Sequence, residues 1–333
     1  MIKLNIFLLL MASISVFVGR EQPGMINDFS RYFVKKDVIK INFTNKNKIT
    51  PNIVRIFQDS TILIADKEEK LVCRYDFKGK LLSQFNIQNK LGHIDDVIVD
   101  SLGIFYIIDG YKNILKKFDR SGKELKTIHV KNGQQLYLTK NGQLLIYNVY
   151  YRDGVKNKPI IHRYTLDGRF IYSFGREPKK PNIGIIHMSA GNVSFRNSDI
   201  IVCHASDYIM DVYDQNGKLI KTYDRKPSFY HMPEAITSLD KKEMKKWNST
   251  VQLWSSYSLF DDYIISYFDR VDETKHWLFI QNDKRSLELS LPTTLYPIGV
   301  NNKKVFFIDT AKNKNNENSI AIVNYEFKSH LLR

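Results

Sequence analysis

The chain has 333 residues, 43% of them hydrophobic and 13% aromatic, so it can bury a substantial core as two ordinary domains or one large all-β domain. Its formal net charge of +15 raises the question of nucleic acid or an anionic surface as a partner. The positive charges are scattered, however, and only Lys241, Lys242, Lys245 and Lys246 lie together, which is not the clustered footprint of a nucleic-acid-binding protein.

At the N-terminus, Lys3 precedes an apolar run from Ile6 to Val18. The run is shorter than the roughly 20 residues that span a bilayer and has the form of a signal-peptide core. Residues 1–19 are therefore read as a signal peptide. An uncleaved anchor through residues 6–18 stays open, because the cleavage site is poorly defined. No cysteine follows the run before Cys73, so there is no lipid-attachment site of the bacterial lipoprotein kind. Residues 20–37 read as a linker, and residues 38–43 as a lone strand.

Beyond it the sequence repeats. Tyr75 is followed four positions later by Gly79, Phe118 by Gly122, Tyr164 by Gly168 and Tyr213 by Gly217. In each case an aromatic ends one strand and Gly sits four residues later, in a short turn that carries Asp or Asn and leads into the next strand. This is hairpin chemistry: a side-chain oxygen accepts local backbone N–H groups and Gly supplies positive φ. Nine residues upstream of three of the aromatics stand Asp66, Asp109 and His204. Each follows an apolar run that suits a strand buried on both faces. The aromatics recur at about 43 to 49 residues, the period of a propeller blade. In the second unit the four strands are expected near 96–99, 104–108, 114–118 and 124–129.

Two later units are degenerate, one around 256–291 and one around 296–325. The last lacks a fourth strand, and a ring must close. The strand at 38–43 is therefore expected to supply the missing outer strand of the last blade. Between the fourth and fifth units, residues 225–249 carry no strand signal. There Asp240 and Glu243 have capping-box spacing before Met244 and Trp247, which predicts a short helix over 240–247, read as a loop decoration. The fold expected is all-β: a six-bladed β-propeller of four-stranded antiparallel blades over 38–333, closed by an N-terminal strand, with one inserted helix. Cys73 and Cys203 fall in non-adjacent blades and are expected as buried free thiols.

The stretch from Asp96 to Asp109, continued from Asn113 to Leu125, resembles an NHL-type repeat. Over about 38–330 the chain is similar to exported bacterial six-bladed propellers of the NHL/TolB-like kind. The resemblance implies the fold. It leaves the activity open, because such propellers include binding proteins, lyases and lactonases.

Ligands of such propellers meet the central channel, lined by the first strand of each blade. The polar residues leading into those strands are the candidates: Asn52, His93, Asp95, Gln134, His187 and Asn192. His93 and His187 come from different blades, as a channel-bound metal would need, but no third ligand can be defined. His231 lies in the insertion. Asp66, Asp109 and Asp309 are read as turn residues rather than cation ligands. No nucleophile elbow, phosphate loop, C-x-x-C pair or H-E-x-x-H helix is present. The reading is an exported, monomeric, non-catalytic propeller that binds a peptide, glycan or protein partner without a cofactor. Its alternative is a metal-dependent NHL-type lyase or hydrolase using the channel histidines.

Overall fold

A computed structural model describes residues 29–328, apart from 44–49, 58–60, 131–132, 149–158, 177–181, 184–185, 188–190, 205–207, 231–237, 239, 249–250, 260–262, 271–275, 293, 302 and 311–318. Six four-stranded antiparallel sheets form a six-bladed β-propeller. Blade 1 comprises Ile53–Ile56, Thr61–Asp66, Leu71–Asp76 and Leu81–Asn86, in order from the channel outward. Blade 2 is Asp96–Val99, Phe105–Asp109, Ile114–Phe118 and Glu124–His129. Blade 3 is Gly133–Leu138, Gln143–Asn148, Ile161–Thr165 and Phe170–Phe174, and blade 4 is Val193–Arg196, Asp199–His204, Ile209–Tyr213 and Leu219–Tyr223. Blade 5 is Val251–Ser258, Ile264–Arg270, His276–Gln281 and Ser286–Leu291. The sixth begins with Leu295–Asn301, Lys304–Asp309 and Ser319–Phe327.

The N-terminal strand completes blade 6, as the sequence requires. Strand Phe33–Asn42 runs antiparallel to Ser319–Phe327, pairing Phe33 with Phe327 and Asn42 with Ser319. It starts five residues before Val38, inside the stretch read as linker. A register shift between Lys35 and Val38 breaks the alternation there, which hides the first part of the strand from a period-2 reading. A single helical turn, Phe29–Tyr32, precedes it with Phe29 and Tyr32 buried.

The core is divided into six apolar layers, one between each pair of successive blades. The second strands stand between two such layers, and Thr61–Asp66 and Phe105–Asp109 are buried at every position. That is why they read as unbroken apolar runs. Cys73 and Cys203 are both free and buried.

The aromatic–glycine turns have a second task beyond reversing the chain. In blade 2 the Gly122 amide donates to the Asp119 carbonyl at 3.0 Å, and Asp119 Oδ1 accepts the Ser121 and Lys123 amides at 2.9 Å. Gly122 has φ +82°, the bulge position of the hairpin. A Cβ built there would lie 2.6 Å from Phe85 Cβ, on the outer strand of blade 1. Gly79, Gly168 and Gly217 likewise abut the outer strand of the preceding blade, through Lys40, Ile128 and Phe174. Each turn therefore docks one blade onto the last.

The insertion between blades 4 and 5 contains the expected helix, Lys241–Asn248. Asp240 Oδ1 caps it by accepting the amides of Lys242 and Glu243, each at 2.9 Å. Before it, Phe229 stacks on Trp277 of blade 5 with centroids 5.3 Å apart, and Tyr230 packs on Tyr208.

Candidate functional site

Successive strands are antiparallel, so all six inner strands begin at the same end of the ring, the end that also carries the turns between second and third strands. Five of the six sequence candidates lead into or open an inner strand at this mouth. Most of their polar atoms are committed to backbone. Asn52 Oδ1 accepts the Lys67 amide at 2.8 Å, and the Asn52 amide donates to the Ala65 carbonyl. Asn192 bridges blades 4 and 5: its Nδ2 donates to the Ser256 carbonyl at 2.6 Å and its Oδ1 accepts the Ser256 amide at 2.8 Å. Gln134 occupies the bulge between Gly133 and Gln135.

His93 and Asp95 do come together. His93 Nε2 lies 3.4 Å from Asp95 Oδ1, while Asp95 Oδ2 accepts the Gly110 amide at 2.6 Å. The imidazole stands edge-on to Tyr111, with centroids 5.2 Å apart. Tyr111 is 71% exposed. Beneath this group Asp109 Oδ2 accepts the amides of Gly92 and His93 at 3.1 and 3.0 Å, and Oδ1 accepts that of Lys112. Asp66 does the same in blade 1, for Thr50, Glu68 and Glu69. Both serve turn geometry, as their sequence positions suggest.

His187 is placed differently from the expectation. It lies on the two-residue strand Ile186–His187, paired with Asn182–Ile183, a small hairpin that precedes blade 4 and belongs to none of the six sheets. The inner strand of blade 4 begins only at Val193. The two histidines are thus on unlike elements. His231 lies outside the described residues. Among the described residues, no three His, Cys, Asp or Glu side chains are grouped as a metal centre needs.

A charged contact at the channel wall joins residues that are not among the sequence candidates. Arg55, in the middle of blade 1's inner strand, pairs through Nε and Nη2 with both carboxylate oxygens of Asp96 in blade 2, the Nε contact being 3.1 Å. Its Nη1 donates to the Leu136 carbonyl of blade 3 at 3.0 Å, and the Leu136 amide donates to Asp96 Oδ2 at 2.7 Å. The guanidinium lies over the Tyr137 ring. Burial pushes the Asp96 carboxyl upward, opposed by Arg55 and the Leu136 and Val97 amides. The pair ties three inner strands together.

A second buried charge lies between blades 3 and 4. Asp211 is fully buried. It takes a two-pronged contact from Arg176 (2.6 and 2.7 Å), a hydroxyl from Thr222 at 2.7 Å and one from Tyr213 at 3.2 Å. His204 Nε2 lies 3.2 Å away. Burial pushes the Asp211 carboxyl up, but bonds from His204, Arg176 and Thr222 outweigh it and hold the group at about 2. His204, which holds the sequence position of Asp66 and Asp109, is therefore part of an ion network rather than a turn clip.

No family model and no curated protein matches the sequence. The fold does match solved structures. A member of the DUF4221 family from Bacteroides vulgatus superposes with a TM-score of 0.66 at 10% identity, covering 89% of this chain and 98% of that one. A Bacteroides fragilis structure named "putative exported protein" gives 0.62 at 10% identity, covering 91% and 97%. Virginiamycin B lyase from Staphylococcus aureus gives 0.51 at 10% identity, covering 86% and 98%. At these identities the likeness is one of fold, and it bears out the resemblance to six-bladed propellers.

Proposed function

We propose that the chain is an exported, non-catalytic propeller that holds a peptide or glycan partner at the mouth of the ring, across His93 and Tyr111. The observation that carries the reading is the division of labour there. Asn52, Asp109, Asn192 and one oxygen of Asp95 accept backbone amides, while the Tyr111 ring stands 71% exposed with the His93 imidazole at right angles beside it. A rigid aromatic with a polar neighbour offers a ligand stacking area and hydrogen bonds. Export is supported by the apolar run from Ile6 to Val18 behind Lys3 and by the name of the Bacteroides fragilis neighbour, a "putative exported protein".

The test is a screen of the labelled protein on peptide and glycan arrays. Expected is a bound class that Tyr111→Ala abolishes without changing the thermal midpoint. Hits untouched by Tyr111→Ala and His93→Ala would move the site elsewhere. Turnover of a hit, or stoichiometric zinc or calcium lost in His93→Ala, would overturn the non-catalytic reading in favour of a metal-dependent lyase or hydrolase.

A further inference from the structure

The opposite side of the ring carries the turns between first and second strands and between third and fourth. On this side the aromatic–glycine turns of blades 1, 2 and 4 engage their acid with the turn's own amides and leave their base exposed, while in blade 3 Asp167 and Arg169 are both exposed. Asp76, Asp119 and Asp214 accept their own turns' amides at 2.8–2.9 Å, whereas Lys80, Lys123 and Lys218 are exposed. Two residues beyond each basic residue an apolar side chain is also exposed, at the same repeat position in four blades: Leu82 (49%), Leu125 (48%), Ile171 (37%) and Ile220 (57%). In blade 2 the turn between first and second strands adds Leu102, 73% exposed. Its carbonyl accepts Nη2 of the exposed Arg120 at 3.0 Å. Single exposed leucines are ordinary. A pairing of base and apolar side chain, kept in register from blade to blade, is a pattern.

The chain enters the fold on this same side. Phe33–Asn42 is the outer strand of blade 6, so Phe33, paired with Phe327, stands where the other blades have their third-to-fourth-strand turn. Blade 1 lies directly beside it, since the Gly79 turn abuts Lys40. Residues 19–28 separate the apolar run ending at Val18 from Phe29; even fully extended they reach only about 35 Å. A run held in a bilayer would thus keep this side of blades 6, 1 and 2 against the bilayer surface, at high effective concentration.

We propose that the turn-bearing side around blades 1 and 2 is a docking surface for an anionic lipid membrane, with Lys80 and Lys123 meeting the headgroups and Leu82, Leu102 and Leu125 entering the interface. Basic residues supply attraction to anionic lipid, and apolar side chains supply insertion. The mouth with His93 and Tyr111 then faces away from the lipid. The proposal does not rest on the ligand reading, since it concerns the other side of the ring.

The test uses the full chain carrying Leu8→Asp and Leu10→Asp, which interrupts the apolar run without adding positive charge, in co-sedimentation with vesicles of phosphatidylcholine alone or doped with phosphatidylglycerol. Expected is binding to the doped vesicles only, lost on raising salt to about 0.5 M. Lys80→Glu with Lys123→Glu should weaken it about tenfold or more. Leu82→Ser with Leu125→Ser should weaken it without changing its salt dependence. Circular dichroism and an unchanged thermal midpoint establish that these surface variants are folded. Absence of binding, equal binding to both vesicle types, or an equal loss from Lys67→Glu with Lys112→Glu on the mouth side would each overturn the proposal.

Discussion

Replacing Gly122 and Gly142 by alanine, one at a time, separates what a turn costs from what blade docking costs. Both glycines sit in turns of one design: the Gly122 amide donates to the Asp119 carbonyl and the Gly142 amide to the Thr139 carbonyl, each at 3.0 Å. Both have positive φ, +82° and +67°. An alanine in that region costs about 1 kcal/mol in either turn. They differ in what lies beyond. The nearest atom to a Cβ at Gly142 is Leu166 Cδ1 at 3.7 Å, an ordinary contact, whereas at Gly122 Cβ and Cγ of Phe85 lie at 2.6 and 2.7 Å. Phe85 is itself buried and packed against Phe105 and Phe118, so the collision cannot be relieved by the free end of a side chain. Overpacking of that kind adds about 1–3 kcal/mol. The expected losses are about 1 kcal/mol for Gly142→Ala and about 2–4 kcal/mol for Gly122→Ala. With an unfolding entropy of about 2 cal/mol/K per residue over roughly 300 folded residues, 1 kcal/mol moves the midpoint by about 1.5 °C. The midpoints should therefore fall by about 1–2 °C for Gly142→Ala and about 3–6 °C for Gly122→Ala in the same calorimetric scan. Equal losses would show that the glycine repeat serves the turn alone and would refute blade docking.

Three further outcomes follow from the buried charges and the ring closure. Asp211, held at about 2 against an ordinary 3.8, contributes stability that is fully present above about pH 4 and is lost as the pH falls through about 2. The gap corresponds to about 2 kcal/mol, so the midpoint difference between wild type and Asp211→Asn should narrow from pH 7 to pH 3. Arg55→Met strands the Asp96 carboxylate at the channel wall and should cost about 2–4 kcal/mol by urea unfolding, with Arg55→Met/Asp96→Asn recovering part of it. Deleting the chain through Asn42 exposes the edge of Ser319–Phe327; light scattering should show aggregation on mild heating, and an unchanged midpoint would argue that blade 6 is complete without it.

The parts of this fold that can be read from sequence are those written in local chemistry. Tyr75 with Gly79, or Tyr213 with Gly217, encode a turn within a few residues, and the buried second strands encode themselves as apolar runs. The Asp100–Gly103 and Thr139–Gly142 turns use the same chemistry, but no aromatic precedes either at the spacing of the repeat. Inter-blade contacts leave no such trace, because their partners are set by the ring rather than by sequence neighbourhood. Arg55 meets Asp96 and Leu136 across whole blades, and Asp211 meets Arg176 across another. Asn192 reads from sequence as a mouth residue, but its partner Ser256 lies in the next blade, and that pairing is what defines its role. His204 has the spacing of a turn residue but makes its contact with the Asp211 carboxylate, and only the placement of Asp211 beside it decides between the two roles. Tyr111 carries no sequence signal at all; its exposure is the signal.

The closing strand has a consequence for how the molecule comes into being. Phe33 and Phe327 are paired neighbours, yet they are among the first and last folded residues to be synthesised, and contacts this remote in sequence are the slowest to form. Five blades can assemble as they emerge. The sixth must wait for both ends of the chain, so an unfinished chain carries an open edge until its last strand appears. Closure of the ring therefore depends on Ser319–Phe327, and a chain stopped before that strand leaves Phe33–Asn42 without its neighbour.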